Sequence, residues 1–273
     1  MNKLSVKNKV VVISAFSMLY YLFAHQLNVI EIITKNNLIF ITPVILSLIM
    51  LVGCVWLLNI RSGLEKFFLI TLYSCLNVFA FSLFFEILLI NQTRIGQISI
   101  TLVFSLITAI IFYVHSLTAN IINYSHIRDI PLVYAARATA YIISLLSEYF
   151  IFFIILNSDL NVVLKVTFSV SVAFFHSYFL LDSIKQKFQN KLNSALAISL
   201  LIVIFDIMLL MWPISSEIKS IILTLIMYIC IGISLEIKER INKSIWIEYI
   251  ILIISIILLL LFLSSWGING HLL

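Results

Sequence analysis

Charge is the scarcest property of this 273-residue chain. Asp, Glu, Lys and Arg together make up 11% of it, against about 25% in an ordinary globular domain. With 63% hydrophobic residues, folding in water would expose far more apolar area than a domain of this size can hide. That excludes a soluble enzyme, a disordered chain and a nucleic-acid-binding domain. Glycine and proline are scarce as well, at 6 and 3 residues. Only Gly53, Gly232 and Pro43 lie well inside apolar stretches, so the broken helices and hinges of many transporters have little to be built from. The halves share no spaced charges or breaks, so there is no inverted repeat. An AT-rich genome would by itself lower both residue types. The three cysteines, Cys54, Cys75 and Cys230, sit in apolar runs without CxxC or Cys/His spacing. They read as packing residues rather than a disulfide framework or zinc knuckle.

What the chain does have is long apolar runs. A bilayer core of roughly 30 Å needs about 20 mostly apolar residues per helix. Nine runs qualify, near 10–30, 38–60, 67–90, 97–122, 132–157, 161–181, 194–212, 219–235 and 245–266, the eighth being the shortest. The expected fold is all-α: a polytopic transmembrane helix bundle of about nine spans, residues 1–273 forming a single transmembrane domain with no soluble one. The cations orient it. With the N terminus cytoplasmic, Lys35, Arg94, Lys165 and Lys219 lie outside and the other 13 of the 17 Lys and Arg lie inside, as the positive-inside rule requires. Merging the seventh and eighth runs would put Lys238, Arg240 and Lys243 outside and spoil that bias. The C terminus is then outside. Trp212, Trp246 and Trp266 fall at predicted helix ends, the headgroup level that an indole prefers. The first run is long and polar at Ser14, Ser17, Tyr21 and His25, with no small-x-small cleavage site, so it reads as an uncleaved span and not a signal peptide. The expected location is a bacterial cytoplasmic (inner) membrane.

Ionisable residues inside these runs are where function should show, because each costs about 2.5–3.5 kcal/mol on insertion scales and needs a partner. In the fifth run Tyr134, Arg137, Tyr141, Ser144 and Glu148 recur at helical steps on one face. Shorter stripes hold Ser82 and Glu86 in the third run, Thr101, Ser105, Thr108 and His115 in the fourth, Lys165, Ser169 and His176 in the sixth, and Asp206 alone in the seventh. Sorted by depth, His115, Arg137 and His176 fall towards the cytoplasm, with Asn120, Tyr178 and Asp182 nearby. That cationic group suits an anion or an acid/base pair. His25, Glu86, Glu148 and Asp206 fall in the outer half and suit a shared proton or a divalent ion. Glu86, Glu148, Asp206, His25 and Tyr141 are the candidate substrate-binding or proton-relay residues. His115, His176 and Arg137 are the catalytic candidates. Each also has a bland reading as an interhelical hydrogen bond.

The phosphate-binding GxxxxGK[ST], HExxH, HxxxH and GxSxG patterns are absent, as are paired Asp-rich boxes. Haem would need stacked histidines on facing helices; only His115 and His176 are candidates. The stretch FFHSYFLLDSIKQKF around His176 resembles, over about a dozen residues, the Brp/Blh membrane carotenoid dioxygenases, whose iron would sit on transmembrane histidines. Leu180 stands where a second histidine would be needed, and Glu31 where an aspartate is expected, so that activity is not carried over. No metal and no cofactor is assigned. The basic segments 182–193 and 236–244 read as solvated cytoplasmic loops. Three functions are compatible: a small transporter or permease subunit for a polar or anionic solute or protons, an intramembrane enzyme acting on a lipid or isoprenoid, or a non-catalytic subunit of a membrane-protein complex. The lack of catalytic motifs favours the first.

Overall fold

The computed structural model describes residues 5–29, 35–58, 63–90, 94–125, 131–183, 188–236 and 243–264. Among them every regular element is an α-helix: α1 (Val6–Val29), α2 (Lys35–Leu57), α3 (Leu64–Ile90), α4 (Arg94–Ser125), α5 (Val133–Asn157), α6 (Val162–Ser183), α7 (Phe188–Met211), α8 (Ser216–Glu236) and α9 (Lys243–Phe262). Each matches one expected span. Eight are long and apolar enough to cross a membrane, and in α9 the apolar part, Trp246–Phe262, is shorter. The eighth run, expected to be the shortest, is a 21-residue helix. The apolar run alone missed its first turn, which carries Ser216 and Glu217 where a helix N-terminus favours a hydroxyl and an acid. The loop cations Lys3, Arg61, Arg128, Lys185, Lys187, Lys238 and Arg240, and Trp266, lie outside the described residues.

The chain forms two compact units, Met1–Ile143 and Ser144–Leu273, with the division falling inside α5. In the first, α1 packs on α2 and α4, α3 packs on α2 and α4, and α2 meets α4 across the middle. That is a four-helix bundle closed by short connections. In the second, α6, α7 and α8 pack mutually and α9 lies against α8.

The polar stripes turn inward. On α1, Ser14, Ser17, Tyr21 and His25 are buried while Phe16, Leu19 and Phe23 are exposed. On α4, Thr101, Ser105, Thr108 and His115 are all buried. This inversion is what a lipid solvent imposes, since hydrocarbon accepts Phe and Leu and rejects hydroxyls. Many of the hydroxyls bond their own helix, as Ser14 does to the Val10 carbonyl (2.9 Å) and Ser82 to that of Val78 (2.7 Å).

Helix ends are closed by side chains reaching over from neighbours. The last carbonyls of a helix lack intrahelical donors. Lys9 Nζ donates to the Trp56 carbonyl at the end of α2 (2.8 Å), Gln97 Nε2 to Leu89 at the end of α3 (3.3 Å), and Lys165 Nζ to Leu156 at the end of α5 (3.0 Å). The two lysines also set positive charge against the negative end of the helix dipole. Asn161 Oδ1 caps the start of α6 by accepting from Leu164 N (2.8 Å). Two glycines allow close helix contacts. A Cβ on Gly53 of α2 would come within 3.1 Å of Ile13, and one on Gly232 of α8 would run into the Tyr249 hydroxyl.

Candidate functional site

Among the described residues, each unit holds one buried pairing of a histidine with a glutamate. In the first, His25 of α1 and Glu86 of α3 each lie four residues, about 6 Å, before the end of their helix. His25 Nε2 is 3.0 Å from Glu86 Oε1, and both side chains are buried. Tyr21, one turn before His25, sets its ring centre 4.7 Å from that of the imidazole at a tilt of 42°. The Tyr21 hydroxyl is buried without a hydrogen bond. Beside this pair opens a cavity of about 80 Å³ between α1 and α4, lined by His25, Gln26, Gln97 and Thr101 with Leu22, Ile98 and Leu102. Its walls thus offer an imidazole, two amides and a hydroxyl above three aliphatic side chains.

In the second unit, Glu148 of α5 and His176 of α6 are both wholly buried, and His176 Nδ1 lies 3.9 Å from Glu148 Oε1. This is an ion-pair distance, too long for a hydrogen bond. Both Glu148 oxygens lack hydrogen-bond partners. The ring's bonds go elsewhere: Nδ1 lies 3.1 Å from the Val172 carbonyl and Nε2 lies 3.2 Å from the Ser147 hydroxyl. A carbonyl only accepts, so Nδ1 carries a hydrogen. The Ser147 hydroxyl is also 2.9 Å from the Ser144 carbonyl, and it has one hydrogen to give. With a neutral ring, that hydrogen can turn to Nε2. With a ring protonated at both nitrogens, Nε2 donates to Ser147 and the hydroxyl donates to Ser144. Both charge states of His176 therefore have bonding partners, because the Ser147 hydroxyl can turn to suit a proton gained or lost at Nε2.

Asp206 of α7 is wholly buried, and neither of its oxygens closes a hydrogen bond. Ser169 of α6 faces it, and the charges of Lys165 and Lys219 lie within electrostatic reach. Ser169, Ala173 and His176 follow at helical steps on the buried face of α6. The Asp206 level and the His176 level are thus joined along one face, about 10 Å apart at 1.5 Å per residue. Ala173, wholly buried, lies between them along the helix.

The remaining candidates are placed as follows. His115 of α4 is buried between the rings of Tyr73 and Phe81, at 6.3 and 6.4 Å. Arg137 is half-buried one turn into α5, its guanidinium 5.9 Å from the ring centre of the exposed Tyr134. Tyr141 is half-buried on the same helix. His115 and Arg137 belong to the first unit and His176 to the second. His25 and Glu86, both expected in the outer group, do come together. Glu148 and His176, sorted to opposite depths, also come together. Glu148 is nine residues before the end of α5 and His176 fourteen after the start of α6. Two long side chains span that offset of five residues.

Sequence reasoning missed Ser147, whose signal was its position next to Glu148 on a helix with a polar face. It also missed the ion pair of Lys191 Nζ with Asp182 Oδ1 (2.6 Å), with Lys191 4.6 Å from the Tyr178 ring centre. Opposite charges nine residues apart across the short α6–α7 connection were the available clue. Among the described residues no three His, Cys, Asp or Glu gather as a metal site would require. The three cysteines are free.

The class that fold and burial define is a multi-pass helical integral membrane protein. No protein-family model, curated protein or solved structure gives a significant match to the chain.

Proposed function

We propose that this protein is a small proton-coupled transporter, or permease subunit, of a bacterial cytoplasmic membrane, moving a polar or anionic solute. In this reading Glu148, His176 and Asp206 handle the proton, Ser147 turns its hydroxyl to suit the charge of His176, and the cavity beside His25 and Glu86 receives the solute. One observation carries the reading: the carboxyl group of Glu148 is wholly buried and closes no hydrogen bond. A structural carboxylate in hydrocarbon would be expected to hold several bonds, because an unsatisfied one is costly. A carboxyl group that alternates between acid and carboxylate needs instead surroundings that accept either form. His176 stands beside Glu148 with partners for both of its charge states.

The test is reconstitution of the full chain in proteoliposomes loaded with a pH-sensitive dye. An imposed pH gradient should drive proton flux, lost in Glu148→Gln and in Asp206→Asn while helix content is kept. Wild-type vesicles as tight as protein-free ones, with or without candidate solutes, would overturn the reading. So would a Glu148→Gln variant with unchanged flux.

A further inference from the structure

A second opening lies on the first unit, between α1 and α2, as a groove of about 360 Å³. Ile13 and Gly53 are buried in its floor, and Phe16, Leu48, Val52 and Trp56 stand exposed around it. Along α2 it runs from Ile45 to Trp56, about 16 Å at 1.5 Å per residue. Its lining is almost entirely hydrocarbon, and the missing side chain at Gly53 lets α1 and α2 approach and deepens it. At the end marked by Trp56 the chemistry changes. The Lys9 ammonium lies 5.3 Å from the indole centre and gives one hydrogen to the Trp56 carbonyl. An ammonium carries three donors, so two remain for a ligand. Lys7, two residues earlier, is exposed.

We infer that this groove holds an acyl chain of an anionic glycerophospholipid, whose phosphate sits on Lys9. Three features select this occupant. The trough is apolar along its length and long enough for much of a fatty chain. Its cation is at one end only, where a headgroup would be. A partner helix, about 10–12 Å across with its side chains, is too broad for a floor one glycine and one isoleucine wide. The charge matches an anionic headgroup, since basic residues at a membrane surface attract anionic lipids. The inference is independent of the transport reading.

Native mass spectrometry of the full chain in detergent tests it, after incubation with equal amounts of phosphatidylglycerol and phosphatidylcholine. Wild type should retain phosphatidylglycerol with a preference of about fivefold, the size expected of one lysine near an anionic surface. Lys9→Gln should bring the two lipids to parity. Val52→Trp, which fills the groove from its exposed wall, should lose both while circular dichroism is unchanged. Soluble glycerol phosphate should not bind, because the tail supplies the hold. Equal retention of both lipids by wild type, a preference that survives Lys9→Gln, or undiminished lipid on Val52→Trp would each overturn the assignment.

Discussion

The two units use the same pair of residue types in opposite ways. In the first, His25 and Glu86 meet at hydrogen-bond distance, 3.0 Å. In the second, His176 and Glu148 stand 3.9 Å apart, and the imidazole gives its bonds to Val172 and Ser147 instead. The first geometry is closed: each partner satisfies the other. The second is open: the histidine is held in place by neighbours while the carboxyl group beside it has no fixed bond. A closed pair holds helices together, whereas an open one leaves a group whose protonation can change without dismantling its surroundings.

The largest effects should separate these roles. Glu148→Gln is expected to reduce proton flux to background with little change in unfolding, whereas Glu86→Leu should be costly to the fold itself. Breaking one side of a buried pair typically costs about 3–5 kcal/mol, so Glu86→Leu alone should lose that much in a reversible unfolding assay. The double variant His25→Leu/Glu86→Leu should recover most of the loss, because a buried pair replaced by apolar residues is often neutral. If the double variant were no more stable than the single one, the closed-pair description would be wrong.

The glycines extend the comparison on a smaller scale. Gly232→Ala drives a methyl into Tyr249, and overpacking of this kind costs about 1–3 kcal/mol. Combining it with Tyr249→Phe, which removes the obstructing hydroxyl, should restore part of that. Gly53→Ala first meets the branches of Ile13 at 3.1–3.3 Å and should cost less. Equal losses at the two sites would remove the distinction. The smallest expected change is Trp212→Phe, which deletes the 2.6 Å bond from the indole to the Ser264 hydroxyl. It should cost about 0.5–1.5 kcal/mol, the net worth of one hydrogen bond, in the same unfolding assay.

The helices were legible in the sequence because hydrocarbon leaves so little choice: nine apolar runs correspond to α1–α9, with ends differing by a few residues where interfacial turns such as Ser216–Glu217 extend the helix. The inward faces were legible too, since Ser14, Ser17, Tyr21 and His25 recur at helical steps. The pairings were only partly so. Depth counted from predicted ends brings His25 and Glu86 to one level, but it separates Glu148 from His176. Where those two side chains meet depends on how α5 and α6 lie beside each other, which periodicity does not encode. The open character of the pair depends on two backbone and hydroxyl partners, Val172 and Ser147, that carry no charge to flag them.

Ala173 has a consequence of its own. Under the transport reading, a proton moving between the Asp206 and His176 levels of α6 would meet Ala173, which is wholly buried between Ser169 and His176 on that helix. A series from glycine through alanine to valine and leucine at this position adds bulk to that buried face and nothing else, and so acts as a graded throttle on such a route. Flux should then fall with each added carbon while every titratable group stays in place.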